Sequence, residues 1–387
     1  MSTALCPSTA CCVLGTLVGV AVIGTGACDS AAVQSPVATL ALEPLARHSV
    51  RLSERDEVAL TGETTACVVD SYESAVVCYD TQGTEVAVWG REGEGPGEFP
   101  KGGPGEVLSM ESDRLGTWSS RRRRLSVFRV DGVHILDFSL NAPGVFVGGP
   151  MSFRAESEGG ERLWLTAASP TGEASFATIE FDLATQRIVW EQASETLLLE
   201  GDEPCEGTEG TLGSTLRPGS IHSIGSLHYF SCNDVIVYLP EPKGDRRVFL
   251  DRMPTYREEY PNEQDIASQR RAMRFLGPAL DDHIDEYQRT PKLFPALGES
   301  ARAYDAEGRF WVGTRTMSDS SEVDLYDGAD YIGTVRIRDV LLGLDILDST
   351  LVALVEHRDS VGIPSRGLDW YDISRLNFSR RVAQDQR

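Results

Sequence analysis

Three groups of side chains in this sequence have types and spacings that chemistry uses. The first is Trp89 to Phe99, WGREGEGPGEF, in which Glu92, Glu94 and Glu98 are set among four glycines. A glycine-rich loop binds phosphate when its N–H groups converge, a helix opens behind it and a lysine completes the charge. Here carboxylates surround the glycines and a strand-like run follows Pro100, which argues against phosphate. Carboxylate oxygens suit Ca²⁺ better; otherwise no cofactor and no metal is expected. The simplest reading is structural, because such a run fits neither a helix nor a central strand. The second group is the basic run Arg121 to Arg124. Arg121, Arg122 and Arg124 fall at a hairpin turn and the start of the next strand. There they serve either as salt-bridge donors between neighbouring sheets or as anchors for an acidic ligand at one rim. The third group is the histidines, His48, His134, His222, His228, His283 and His357, of which only His222 and His228 are close in sequence. Triad or metal chemistry needs convergence, and no GxSxG, HExxH or DxDxDG pattern supplies it. No catalytic residue is assigned.

What must position these groups is β-structure. The chain has 387 residues, 37 glycines and 19 prolines, and its apolar runs are short. Four cysteines follow Cys28. Cys67 and Cys78 sit in TACVVD-SYES-AVVCYD. A four-residue hairpin loop from Ser71 to Ser74 makes Asp70 face Ala75 and Cys67 face Cys78, close enough for a disulfide. Cys205 and Cys232 are then left for each other, the alternative being two buried thiols. No CxxC or CxH spacing points to a metal.

The formal charge is −23, and no lysine or arginine precedes Arg47. An acidic surface repels phosphate backbones and anionic headgroups, so nucleic acid is not an expected partner. Met1 to Ala27 has no charged side chain, and Val13 to Ile23 is an apolar stretch of signal-peptide length, short for a bilayer span. Thr25-Gly26-Ala27 before Cys28 resembles a bacterial lipobox. That resemblance implies cleavage before Cys28 and a lipid on Cys28, as the only membrane contact. Thr25 stands where a Leu-like residue is usual and basic residues near Met1 are missing; a plain secretory signal and an uncleaved anchor are the alternatives. The expected organisation is a signal peptide over 1–27, a tether over 28–44, a folded domain over 45–380 and a tail over 381–387.

A repeat fills that domain. An apolar-x-apolar-aromatic theme, often followed by Asp and a turn, ends at Tyr79, Phe128, Phe181, Tyr238, Tyr326 and Tyr371. The intervals are 49, 53, 57, 88 and 45 residues, close to the ~40–50 residues of a four-stranded propeller blade. Upstream strands precede the later themes, for example RLGTW (Arg114 to Trp118) and RFWVGT (Arg309 to Thr314). The fold class expected is therefore all-β, a six-bladed β-propeller of four-stranded antiparallel blades. Residues between Glu43 and Leu60 are expected to lend a strand to the sixth blade. The long interval holds an insertion at about 253–294, read as one or two short helices broken near Gly277-Pro278. It is either a solvated decoration or a lid or partner surface.

Gly90 to Phe99, Asp113 to Trp118 and Arg123 to Gly132 resemble the NHL-repeat blade. The same residues, with Tyr304 to Gly313, are similar to the bacterial exported six-bladed β-propeller lipoproteins. The likeness covers roughly Leu60 to Trp370 and is specific around Trp89 to Gly132. It implies the fold and an extracytoplasmic, envelope location, and it implies no single activity. The function expected is that of a monomeric binding or scaffold protein recognising a protein, peptide or glycan at one face or at the channel mouth. The alternative is a metal-dependent lactonase- or esterase-type hydrolase, as in gluconolactonase-like propellers. Asn233, Asp234 and Glu106 are its inner-edge ligand candidates.

Overall fold

A computed structural model describes residues 39–50, 56–110, 114–119, 122, 124–139, 153–156, 162–168, 176–182, 185, 187–193, 216–221, 227–231, 235–239, 248–250, 260–290, 300–317, 319–358 and 362–376. Cys28, Arg121, Cys205, Cys232, Asn233 and Asp234 lie outside them.

The chain opens with two short strands, β1 (Thr39–Ala41) and β2 (Ala46–Ser49), that belong to sheets formed later. The first sheet is β3 (Val58–Gly62), β4 (Thr65–Asp70), β5 (Ala75–Asp80) and β6 (Glu85–Trp89). The second is β7 (Glu106–Met110), β8 (Arg114–Ser119), β9 (Arg124–Arg129) and β10 (His134–Ser139). The third is β11 (Phe153–Glu156), β12 (Arg162–Ala168), β13 (Phe176–Asp182) and β14 (Arg187–Ala193). The fourth is β15 (Leu216–Ile221), β16 (Leu227–Ser231), β17 (Val235–Leu239) and β18 (Val248–Leu250). A helical arm follows, α1 (Glu263–Ala272) and α2 (Leu280–Arg289) joined by a 3₁₀ turn (Arg274–Ala279). Gly277 breaks the helical path at φ 57°, as the Gly-Pro pair predicts. The fifth sheet is β19 (Arg302–Tyr304), β20 (Phe310–Thr316), β21 (Ser320–Asp327) and β22 (Asp330–Arg338). The sixth begins with β23 (Val340–Leu347), β24 (Thr350–Arg358) and β25 (Pro364–Asp372).

Within each sheet, strands consecutive in sequence pair antiparallel in order, and no described sheet closes on itself. First strands lie side by side: β3 contacts β7, β7 contacts β11, β11 contacts β15, β15 contacts β19, β19 contacts β23, and β23 contacts β3. The architecture is mostly β, few-helixed and propeller-like.

The N-terminal segment supplies the missing edges. β2 pairs antiparallel with β25, Ala46 facing Trp370 and Ser49 facing Gly367. It is the fourth strand of the sixth sheet, as the sequence predicts for this region. Thr39 to Leu42, read from sequence as the end of a tether, instead join the sheets. β1 adds parallel to β22, and Leu42 is buried in the core between the fifth and sixth sheets. The tether reading rests on the segment's place after Cys28, and a three-residue parallel edge leaves no local pattern in the sequence.

Alternation explains the core. On β4, Ala66 and Val68 face the cluster shared with Leu354 and Trp370 of the sixth sheet. Cys67 and Val69 face the cluster shared with Val107, Leu115 and Phe128 of the second. A strand buried on both faces must be apolar throughout, hence the runs TACVV and AVVCY. Each large side chain so buried contributes about 1.5–3 kcal/mol relative to exposure. The repeating aromatic falls on the third strand of every sheet, and Tyr79, Phe128, Tyr326 and Tyr371 are buried. The Asp that follows shapes the turn: Asp80 Oδ1 accepts from the N–H groups of Gln82 and Thr84, and Asp182 and Asp372 accept in the same way from Thr185 and Ser374. A short acceptor that satisfies turn N–H groups is the reason Asp recurs there.

Antiparallel order also fixes the ends of the molecule. The turn between second and third strands and the passage to the next sheet fall at one end; the other hairpin turns fall at the opposite end. The first end, here the entry end, carries the Trp89–Phe99 loop, the Ser71–Ser74 turn, the turn at Arg122, Asp339 and the helical arm.

Candidate functional site

The glycine loop leads from β6, the outer strand of the first sheet, to β7, the first strand of the second, as its position in the sequence predicts. Gly90 has φ 82°, and a Cβ there would lie 2.0 Å from the ring of Phe99. Only glycine tolerates both conditions. Phe99 then packs on Phe128, with ring centroids 5.7 Å apart, and Trp89 packs on the same ring at 5.2 Å. Trp89 and Phe99 thus anchor both ends of the loop in the seam between the two sheets.

Two arginines hold the loop from beneath. Arg122 donates to the carbonyl oxygens of Glu98 at 3.2 Å and Gly93 at 2.6 Å, and to Glu94 Oε1 at 2.9 Å. Arg124 donates to the carbonyls of Gly95 and Glu98 and pairs with Asp137 at 3.5 Å. Glu98 folds back inside the loop, accepting from the Gly95 N–H at 2.7 Å and pairing with Arg91. The Gly95 N–H and Arg91 hold the Glu98 carboxyl below its ordinary range. Burial pushes the Asp137 carboxyl up, but Ser126, His134 and Arg124 outweigh it and the net shift is downward. Two of the three carboxylates that the sequence offers to Ca²⁺ are engaged with arginine, Glu94 with Arg122 and Glu98 with Arg91. Arg122 and Arg124 contact the loop through their terminal nitrogens, and Arg124 Nε is buried without a hydrogen-bond partner.

Cys67 and Cys78 are directly opposed in the β4–β5 register, with Asp70 opposite Ala75. A disulfide joins them, with Cα atoms 4.0 Å apart. Both cysteines are fully buried in the seam that the loop covers.

Sequence reasoning misses a four-residue cluster assembled from distant segments. Arg47 on β2 donates through Nε to Asp369 on β25 at 3.2 Å, and its Nη2 pairs with Asp339 at the entry to β23. His357 Nε2 on β24 lies 2.9 Å from Asp369 Oδ1 and 4.0 Å from Asp339 Oδ2. The Asp369 side chain is wholly buried. Its alternation with Tyr371 and Ile373 places it in the seam between the fifth and sixth sheets. Gly367 makes room for the imidazole: a Cβ there would fall 2.3 Å from a ring carbon of His357 and 2.8 Å from the His48 carbonyl oxygen. Asp339, His357 and Asp369 each offer one ligand atom within 4.8 Å of the others, which is the geometry of a cation site. The cation seated among them is Arg47. Burial opposes its charge, but Asp369 and Asp339 outweigh that and hold its pKa above the ordinary value. Burial and the Asp369 charge push the Tyr371 phenol well up, so it stays a neutral donor beside Asp369. The arrangement clamps the N-terminal strand β2 to β25.

A second cluster spans three adjacent first strands. Asp345 on β23 accepts from the Leu60 N–H on β3 at 2.8 Å and from the Ser109 hydroxyl on β7. The Ser109 hydroxyl is also 2.8 Å from the Leu60 carbonyl oxygen. Nearby on the entry side, Glu57 lies 3.4 Å from the Ser300 hydroxyl, and Arg366 pairs with Asp56 at 2.9 Å. This inner carboxylate ties strands together rather than pointing at a shared position with others. Glu106, the one described candidate ligand from the sequence, starts β7 opposite Trp118.

YDAEGRFW forms a built turn as well. Asp305 Oδ1 accepts from the N–H groups of Glu307 and Arg309; Oδ2 accepts from Arg309 Nε at 2.6 Å and Trp311 Nε1 at 2.8 Å. No helix among the described residues is long and apolar enough to cross a membrane.

No family model matches the chain, and no curated protein matches it. Among solved structures it is similar to virginiamycin B lyase from Staphylococcus aureus, at 11% identity over 84% of this chain and 98% of that one, with TM-score 0.41. It is also similar to a member of the DUF4221 family from Bacteroides vulgatus, at 10% identity over 86% and 97%, TM-score 0.46. A third is the calcium-binding protein regucalcin from Agrobacterium tumefaciens, at 12% over 87% and 97%, TM-score 0.42. Likeness at this level carries neither activity nor ligand to this chain.

Proposed function

We propose that this chain is an exported six-bladed β-propeller, tethered through a lipid on Cys28, that binds a protein, peptide or glycan at its entry end. The ring is supported by the order of first-strand contacts, which returns from β23 to β3, and by an N-terminal strand completing the sixth sheet. Export is supported by the Cys67–Cys78 disulfide, since such bonds persist in oxidising compartments.

The observation that favours binding over hydrolysis is how the carboxylates are used. A divalent-ion hydrolase needs several oxygens facing one open position. Asp345 is satisfied by Leu60 and Ser109, and the Asp339–Asp369 pair is satisfied by Arg47. The entry end also exposes large apolar side chains at its sheet turns: Tyr72 at 90% and Ile363 at 61%. Large apolar side chains on exposed turns suit partner recognition.

Site-specific photocrosslinking tests this. A crosslinker at Tyr72 is expected to trap a discrete partner in cells, and one at Glu63, on the opposite end, is not. Equal yields at both ends, or one Ca²⁺ bound with lactone or ester hydrolysis, would refute the reading.

A further inference from the structure

The surface least explained by the sheets is that of the helical arm, residues 260–290. Its pieces contact one another more than any sheet. Arg270 pairs with Asp281 at 2.8 Å, Gln269 lies 3.0 Å from His283, and Ile284 is buried. Leu280, His283, Ile284 and Tyr287 form the inward face of α2, at the spacing an amphipathic helix uses. Toward the tip the exposed surface is divided by charge, with Glu263 and Arg289 of opposite sign at the base. Arg271 at the end of α1 and Arg274 in the 3₁₀ turn are exposed, and Asp282, Asp285 and Glu286 are exposed on α2. Between them, at the tip, stands Phe275, three-quarters exposed.

Such a surface matches itself. A twofold interface needs a patch that is complementary to its own rotated copy. One positive half and one negative half around an apolar centre meet that requirement. An anionic lipid surface or a nucleic acid fits only the arginine half. Both are repelled by the acidic face of α2 and by a net charge of −23.

We propose that the arm docks onto the arm of a second copy of this chain about a twofold axis. Phe275 meets its counterpart at the centre, and Arg271 and Arg274 of each copy face Asp282 and Asp285 of the other. This goes beyond the ligand-binding reading and replaces the monomer expected from sequence. Helices of ten residues are ~15 Å long, so the contact falls below the ~800 Å² per partner of a standard interface. A contact this small makes a weak dimer, seen only toward high protein concentration.

Sedimentation velocity on the full chain, from about 1 to 300 μM, tests it. The wild-type mass is expected to rise toward the dimer. Phe275→Asp, the pair Arg271→Glu with Arg274→Glu, and the pair Asp282→Arg with Asp285→Arg are each expected to weaken association about tenfold or more. These positions are exposed, so the substitutions spare the core, and unchanged circular dichroism verifies that. Mixing the two charge-reversed proteins is expected to restore association, because each now complements the other. A monomer at every concentration, variants that associate like wild type, or a mixture that stays monomeric would overturn the proposal. So would Arg271-dependent binding to phosphatidylglycerol vesicles in place of self-association.

Discussion

Arg47 and Asp369 are 322 residues apart in the chain, and their side chains meet at 3.1 Å in the seam between the fifth and sixth sheets. One end of the folded domain is thereby clamped to the other. Backbone pairing of β2 with β25 supplies the register, and the ion pair supplies a directional hold on that short strand.

Replacing Arg47 with Met removes the counter-charge and leaves Asp369 buried beside Asp339. Breaking a buried pair costs about 3–5 kcal/mol; with Arg47 partly exposed, about 2–3 kcal/mol is expected. Urea unfolding measures the loss. Amide exchange should accelerate first in β2 and β25; uniform acceleration, or none, would contradict the clamp.

The glycine loop should loosen in acid. Glu98 and Asp137 have carboxyl pKa values below their ordinary 4.5 and 3.8. A depressed folded pKa contributes stability that is present above the unfolded value and is lost as pH falls through the folded one. Loop order should therefore hold at pH 5 and above and decline below about pH 4. Exchange at the Gly95 and Gly97 amides, followed by NMR from pH 6 to 3, reports it. Asp137→Asn should remove its share of the dependence.

Asp305→Ala strands several donors at once, including the indole N–H of Trp311, which is fully buried. A loss of about 2–4 kcal/mol is expected, with a change in tryptophan emission from repacking around Trp311. Asp305→Asn keeps one acceptor and should cost less. Equal costs for the two variants would mean that the hydrogen bonds matter little.

Removing the Cys67–Cys78 link by double substitution to Ala frees an 11-residue separation in the unfolded chain. About 2–3 kcal/mol should be lost. Reductant should shift the unfolding midpoint of the wild type and leave the double variant unmoved.

Much of this molecule is legible in one dimension. The Cys67–Cys78 pairing follows from counting a four-residue turn, because hairpin register is local. The aromatic theme falls on third strands, since a strand packed on both faces must be apolar and its turn needs an Asp. Arg122 and Arg124 fall at a turn and a strand start, as the hairpin count predicts. Their targets, the loop carbonyls of Gly93, Gly95 and Glu98, were not visible, because nothing local links a basic run to carbonyls more than twenty residues upstream.

By itself the sequence determined what is periodic or adjacent: strands, turns, the loop between the first two sheets, the hairpin disulfide and the broken helical insertion. Tertiary structure alone decided that Thr39 to Ala41 pair with β22, that Leu42 is buried in the core, and that Arg47 seats with Asp339, His357 and Asp369. It also decided that Asp345 is bonded to Leu60 and Ser109. Arg47, His357 and Asp369 meet on one sheet from segments far apart in the chain, Asp345 reaches strands of two other sheets, and no sequence period connects either group. Their meeting is set by how the sheets pack and where the chain returns, which are long-range properties of burial rather than local ones of backbone preference.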